Sequence, residues 1–338
     1  MRRGGLVAFP TETVYGLGAD AFNEKAVCRI FEVKKRPSFD PLIVHVSSMR
    51  EAMDLWSQTP DAAKILMRKF WPGPLSIVLP KNPRVPDVVT SGLPTVAVRM
   101  PAHPLALQLI RELGSPVAAP SANVFGYTSP TSARSVEEDF GKKIGMTLDG
   151  GPCRVGVEST VVKIEKNRIL MLRPGAITAA EIQKATGLKV VILPRSRKHE
   201  APGQLKIHYA PSVPLVSAGM STSLFLKKTA ALHKQWRKVG WCWPRIAFLS
   251  FSDRIPAGLF CCGEILSPRK DPYQAASRLF QAVRKLDKMG PSAIVAFSFP
   301  REGIGAAVND RLLKASGGKS GWNTFLHTVN HTIKDQIK

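Results

Sequence analysis

The chain has 338 residues, 44% of them hydrophobic and 22% charged, enough for two domains with real cores. No apolar run reaches the ~18 residues that cross a bilayer as a helix, so a membrane-spanning helical protein is excluded and no membrane partner is expected. A formal net charge of +23 favours polyanionic partners such as tRNA, although a basic bias across a whole proteome would give the same number.

Met1-Arg2-Arg3 runs straight into the first apolar segment without a secretory leader, so the cytoplasm is the expected compartment. Leu6 to Phe9 reads as a buried strand that stops at Pro10, and the polar segment Thr11-Glu12-Thr13 follows. In α/β folds ligands gather at the carboxyl ends of strands, where these residues stand. Gly16 and Gly18 are expected to form a tight turn or a close approach to a ligand. A helix follows. Asn23 is its N-cap, Glu24 suits its first turn, and Ala26, Val27, Ile30 and Phe31 form one apolar stripe. Pro37 disfavours helical geometry at Arg36, so Lys34-Lys35-Arg36 marks the change from helix to loop. Lys34 and Arg36 could converge on one polyanion, Arg as a fork and Lys as a point charge. Taken alone, the triplet reads rather as solvating the helix end and complementing its dipole. Leu42 to Val46 is a second strand, with His45 as its polar intruder.

Met49 to Trp56 and Asp61 to Phe70 read as helices, the second broken by Trp71-Pro72-Gly73-Pro74. Leu75 to Leu79 and Thr95 to Met100 are strands, and Arg99 in the latter needs a partner if it is buried. Pro104 to Leu113 is a helix with Pro in its first turn. The short strand Val117 to Ala119 runs into Pro120-Ser121-Ala122-Asn123, and Thr128-Ser129-Pro130-Thr131 extends this polar loop. After the turn Asp149 to Pro152, Val155 to Val162 and Ile169 to Leu172 should pair as a hairpin turning at Glu165 to Arg168. Thr178 to Thr186 is a capped helix closed by Gly187. The alternation indicates an α/β or α+β domain on a twisted sheet over residues 1–194.

Residues 195–214 are polar, rich in proline and without periodicity, and read as a linker. A second α/β unit then occupies 215–338. Its strands lie near Leu215 to Ser217, Ile246 to Ser250 and Ala293 to Phe297, and its helices near Thr222 to Arg237, Tyr273 to Met289 and Ala306 to Ala315. No G-x-G-x-x-G opens a helix there, which leaves a nucleotide site in this half unsupported. The five cysteines include no C-x-x-C spacing and read as structural, and no metal-ligand cluster is apparent.

Five segments in order carry a resemblance. They are PTETVYGLGADA with K-x-R-P and PLIVHV behind it, APSAN (Ala119 to Asn123) with TSPT, VGVEST (Val155 to Thr160), LRPGAIT (Leu172 to Thr178) and APG…HYAP in the linker. Together they resemble the YrdC-like family of L-threonylcarbamoyladenylate synthases, and GIGAAVNDRLLKAS (Gly303 to Ser316) resembles the C-terminal domain of its longer members. The resemblance implies an open, twisted mixed sheet followed by a smaller Rossmann-like domain. It implies a nucleotidyltransferase that joins L-threonine, bicarbonate and ATP with Mg²⁺, releases pyrophosphate, and supplies the machinery that threonylcarbamoylates tRNA beside the anticodon. Weak tRNA binding is possible.

Carried over position by position, Thr13, His45, Arg99, Ala119 (through its backbone) and Ser159 would hold threonine. Arg36, Asp40, Thr95, Ser121, Ser129, Arg173 and Tyr209 would hold ATP, with Tyr209 arriving from the linker. Lys34, Arg36, Ser121 and Asn123 would form the catalytic cluster over the phosphates and the bicarbonate carbon. The chain departs from the family at Asp40, where Asn is usual, and at Leu205-Lys206-Ile207 in the linker. The helix that usually precedes Gly4 is missing, which suggests a late start. Two rivals are a nucleic-acid-binding protein without catalysis and a carbamoyl-transfer module.

Overall fold

The computed structural model describes residues 1–193, 202, 203, 205, 207–240, 242–254 and 258–336. Of the expected linker 195–214, residues 195–201, 204 and 206, with the basic cluster Arg195 to Lys198, lie outside the described residues. The chain forms two compact units. The first is Met1–Phe125 with Ser129–Leu205, and the second is Gly126–Thr128 with Lys206–Lys338.

The first unit runs β1 (Val7–Phe9), β2 (Gly16–Asp20), α1 (Glu24–Lys34), β3 (Ile43–His45), α2 (Met49–Asp54), α3 (Asp61–Phe70), β4 (Leu75–Pro80), α4 (Asp87–Thr90) and β5 (Thr95–Arg99). It continues through α5 (Pro104–Leu113), β6 (Val117–Ala118), α6 (Ala133–Phe140), β7 (Met146–Thr147), β8 (Thr160–Glu165), β9 (Arg168–Arg173), α7 (Ala179–Thr186) and β10 (Lys189–Ile192). The strands form one 10-stranded sheet in the order β10-β9-β8-β4-β5-β3-β6-β2-β1-β7. It is mixed: β3 and β5, and β4 and β8, pair parallel, whereas β4 and β5, and β8 and β9, pair antiparallel.

Local chemistry sets the helix ends. Asn23 Oδ1 accepts from Ala26 N at 3.1 Å, and Lys35 closes α1 in the left-handed region at φ 53°. Thr178 and Glu181 form a full capping box on α7, and Gly187 ends it. Two expectations are corrected. Gly16 to Asp20 is a strand and not a turn, pairing antiparallel with β1 and β6. A Cβ on Gly18 would lie 2.7 Å from Val117 Cγ1 and 2.8 Å from Phe9 Cε1, so the glycine is there for close packing. Val155 to Ser159 stays outside the ladder, and β8 begins only at Thr160.

Strand alternation divides the sheet into two faces. On one, Val44, Ile77, Val98 and Met171 pack with Val27 and Ile30 of α1, Leu66 of α3 and Ile182 of α7. On the other, Ile43, Val78, Ala97 and Leu172 form one cluster, and Phe9, Val117 and Ala119 another with Ala106 and Ile110 of α5. A period of two puts His45, Ser76, Thr95 and Arg99 on this second face.

The second unit contains β11 (Leu215–Ser217), α8 (Thr222–Lys238), β12 (Ile246–Ser250), β13 (Cys262–Ile265), α9 (Pro272–Lys288), β14 (Ala293–Ala296), α10 (Ile304–Ala315) and α11 (Trp322–Gln336). Its strands pair parallel in the order β11-β14-β12-β13, the Rossmann-like class expected. The tail from Trp322, which has no clear sequence signal, is a helix. Its Phe325 packs edge-on to Phe225 at 5.0 Å between ring centroids.

Candidate functional site

Arg99 ends β5 buried, 4% exposed, and every arm of its guanidinium is engaged. Nε donates to Gly73 O at 3.2 Å, one terminal nitrogen donates to Thr13 Oγ1 at 2.9 Å, and the other pairs with Glu12 Oε1 at 2.8 Å. Glu12 Oε2 accepts from Ala102 N at 3.1 Å. Thr11 donates to Val14 O at 2.6 Å, so in the 2.8 Å contact between the two hydroxyls Thr13 must donate to Thr11. A directed chain of donors thus runs Arg99 to Thr13 to Thr11. Glu12 is the partner that the buried arginine required, and the sequence reading assigned it no role.

His45 lies beside Arg99 in the β3–β5 register. Burial first, and the Arg99 charge second, push its imidazole down to about 3. It is therefore neutral at physiological pH, its ring edge-on to Phe9 at 5.8 Å.

Arg173 ends β9. Its Nε donates to Ser159 O and a terminal nitrogen to Ser159 Oγ, both at 3.0 Å, while the other terminal nitrogen reaches Pro202 O at 3.1 Å. Ser159 Oγ also lies 2.8 Å from Ser76 Oγ on β4. Gly175 makes this crossing possible, because a Cβ there would lie 2.3 Å from Thr160 N. Ser129 Oγ donates to Glu158 Oε1, and Glu158, like Glu12, is a buried carboxylate that motif spacing did not single out.

The end of α1 sorts its basic triplet. Lys34 and Arg36 point inward and are buried, whereas Lys35 is exposed. Lys34 Nζ donates to Ser121 O at 2.6 Å and to Asn123 O, so two of its three donors hold the Ser121–Asn123 loop. Burial, reinforced by the Arg36 charge, holds Lys34 well below the usual lysine range. Arg36 donates from Nε to Asp40 O at 3.0 Å and from a terminal nitrogen to Pro41 O at 2.9 Å, and it pairs with Asp40 Oδ2 at 2.9 Å. Asp40, the departure from the expected Asn, is thereby neutralised.

Thr95 starts β5, at the opposite end of that strand from Arg99. Ala119 continues the β6 edge, its N donating to Ile43 O at 2.9 Å. Tyr209 is buried in the second unit, with Phe280 at 5.5 Å and the Arg311 guanidinium 5.3 Å from its ring.

Buried arginines and hydroxyls thus gather on a mixed sheet, with a buried lysine at a helix end, in an α/β protein. Residues 1–175 match the Sua5–YciO–YrdC family described as telomere recombination, and residues 177–317 match the threonylcarbamoyl-AMP synthase C-terminal domain. The threonylcarbamoyl-AMP synthase of Pyrococcus abyssi is 42% identical over 94% of this chain and 92% of its own length. That of Bacillus subtilis is 42% identical over 94% and 91%. The crystal structure of P. abyssi Sua5 complexed with L-threonine superposes with a TM-score of 0.86 at 42% identity, covering 95% of this chain and 93% of that one. The chain belongs to the threonylcarbamoyl-AMP synthase family, and is an enzyme of that family. No helix among the described residues is long and apolar enough to cross a membrane.

Proposed function

We propose that the chain is a cytoplasmic nucleotidyltransferase that condenses L-threonine, bicarbonate and ATP into L-threonylcarbamoyl-AMP and pyrophosphate. The product would pass to the machinery that modifies tRNA. One observation carries this reading: Arg99 and Arg173, on strands of one sheet, each grip a hydroxyl, Thr13 and Ser159, that the family resemblance assigns to threonine.

The Arg99–Glu12 pair suits a zwitterion, offering a cation to the carboxylate and an anion to the ammonium. The ammonium first gives one proton to solvent, and neutral His45 can accept a hydrogen bond from the free amine. The amine nitrogen then bonds to the bicarbonate carbon as a C–O bond breaks, and the departing hydroxide takes the nitrogen's proton and leaves as water, giving the carbamate. The carbamate oxygen then attacks the α-phosphorus and pyrophosphate leaves, a transfer that rests on positioning and charge neutralisation. Arg36, Thr95, Ser121, Ser129 and Arg173 would bind the nucleotide, with Lys34 and Asn123 shaping the loop beneath it. Mg²⁺ would enter as part of the ATP complex. There it would neutralise the triphosphate.

The test is pyrophosphate release with threonine or bicarbonate omitted and restored. Release that ignores both omissions rejects the reading. Arg36→Ala should lower turnover about 100- to 1,000-fold if its guanidinium meets phosphate.

Weak tRNA binding has separate support. On α8, Lys227, Lys228, Lys234, Arg237 and Lys238 are all exposed, and the helix carries no acidic residue. A salt titration of tRNA binding should show a steep negative slope that flattens when these lysines become alanine.

A further inference from the structure

Gly126–Thr128 lies in the middle of the first unit's sequence but packs as part of the second. Each of its three residues is tied there. Ala210 N donates to Gly126 O at 2.8 Å. Tyr127 donates its hydroxyl to Asp287 Oδ2 at 2.6 Å. Arg284 donates to Thr128 O at 2.6 Å, with its guanidinium 4.8 Å from the Tyr127 ring centroid. Arg284 and Asp287 stand three residues apart on α9, hence on one face of the helix, and are only 5% and 8% exposed. Asp287 is further fixed by Ser212 Oγ at 2.7 Å and Val213 N at 3.0 Å. Burial pulls its carboxyl upward, but the hydrogen bonds from Tyr127, Ser212 and Val213 outweigh this and hold it below the usual aspartate range.

The flanks of this three-residue excursion are the residues the chemistry needs. Phe125, just before it, donates its N–H to Lys34 O at 3.0 Å, and its ring lies 5.9 Å from the Arg36 guanidinium. Ser129, just after it, donates to Glu158, and Pro130 O accepts from Tyr15 N at 2.9 Å. The segment is thus pinned between a lysine–arginine anchor and a hydroxyl assigned to the nucleotide.

We propose that Asp287 and Arg284 of α9 are positioning residues for ATP: by clamping Tyr127 and Thr128 they set the loop that presents Ser129. This gives the C-terminal unit a catalytic purpose, and it rests on the assignment of Ser129 to ATP. The clamp acts along the chain, from Tyr127 to Ser129. An ATP-site loop pinned at both flanks and at its tip loses little entropy when the nucleotide binds.

Tyr127→Phe deletes one hydroxyl and keeps the ring on Arg284, so it tests the clamp without threatening the fold. Asp287→Asn and the double variant accompany it, with Lys285→Ala as control, since Lys285 pairs with Glu264 instead. Tyr127→Phe should raise KM for ATP about fivefold, the worth of one hydrogen bond, with KM for threonine unchanged. The double variant should cost no more than Asp287→Asn alone. Amide exchange over residues 126–131 should quicken in both single variants and not in Lys285→Ala. If ATP and threonine constants move together, or exchange over 126–131 is unchanged, the clamp is refuted. If the unmodified chain releases no threonine-dependent pyrophosphate, the functional reading fails, and the exchange measurement alone decides the clamp.

Discussion

Removing the charge of Glu12 is the most informative perturbation of the first unit. Glu12 and Arg99 meet at 2.8 Å with side chains 5% and 4% exposed, so neither charge has much water to fall back on. Glu12→Leu leaves a buried guanidinium with only Gly73 O and Thr13 Oγ1 for company, which should cost about 3–5 kcal/mol. Against a total of ~5–15 kcal/mol for a domain, that is a large fraction. Arg99→Met should lie at the upper end of the same range, because Gly73 O and Thr13 Oγ1 also lose their donor. The double variant should cost clearly less than the sum, since a buried pair replaced by apolar groups leaves no stranded charge. Urea unfolding, read through exchange of the β5 amides so that the first unit is followed by itself, measures all three. Single costs below about 1 kcal/mol, or additivity within about 0.5 kcal/mol, would refute the claim that these two groups compensate each other in the core.

Arg173→Lys replaces a fork that holds both Ser159 O and Oγ with a point charge, and kcat/KM should fall about 100-fold, with some loss of stability from the acceptors left without a donor; a fall under about threefold contradicts the assignment. Asp40→Asn removes the carboxylate paired with Arg36 but keeps the backbone acceptors Asp40 O and Pro41 O, so KM for ATP should drop, and a rise would count against a phosphate role for Arg36. The His45 imidazole, pushed from 6.5 to about 3, must charge in the unfolded chain before it can in the folded one. Its stability contribution is whole above pH 6.5 and is lost as pH falls toward 3, at most about 5 kcal/mol. Urea midpoints of the wild type should therefore fall more steeply than those of His45→Leu across that window, and parallel profiles would contradict it.

What could be seen in the sequence depended on how locally it is encoded. Asn23, the Thr178–Glu181 box and Gly187 mark helix ends through groups a few residues apart, and α1 and α7 were legible for that reason. The β8–β9 hairpin was equally local. Arg99 announced that it needed a partner, but Glu12 lies 87 residues earlier and no spacing rule links them. Gly16 and Gly18 suggested a turn because glycine permits one; their actual cause, the Phe9 and Val117 side chains pressed against them, exists only after β1 and β6 have paired across β2. α6 hid between polar residues: Ser132 caps it, but only Ala133, Ser135, Val136 and Phe140 are buried, too short a stripe to stand out. Tyr209 carried a motif without revealing which unit would bury it.

The strand order has a consequence for synthesis. β4, at residues 75–80, finds its parallel neighbour only when Thr160 arrives, and Arg173 completes the set a little later. A ribosome that has released 150 residues has therefore exposed a naked sheet margin, with Ser159 and Arg173 still to come. Whatever guards it until the margin closes must come from outside, or from the speed of elongation itself.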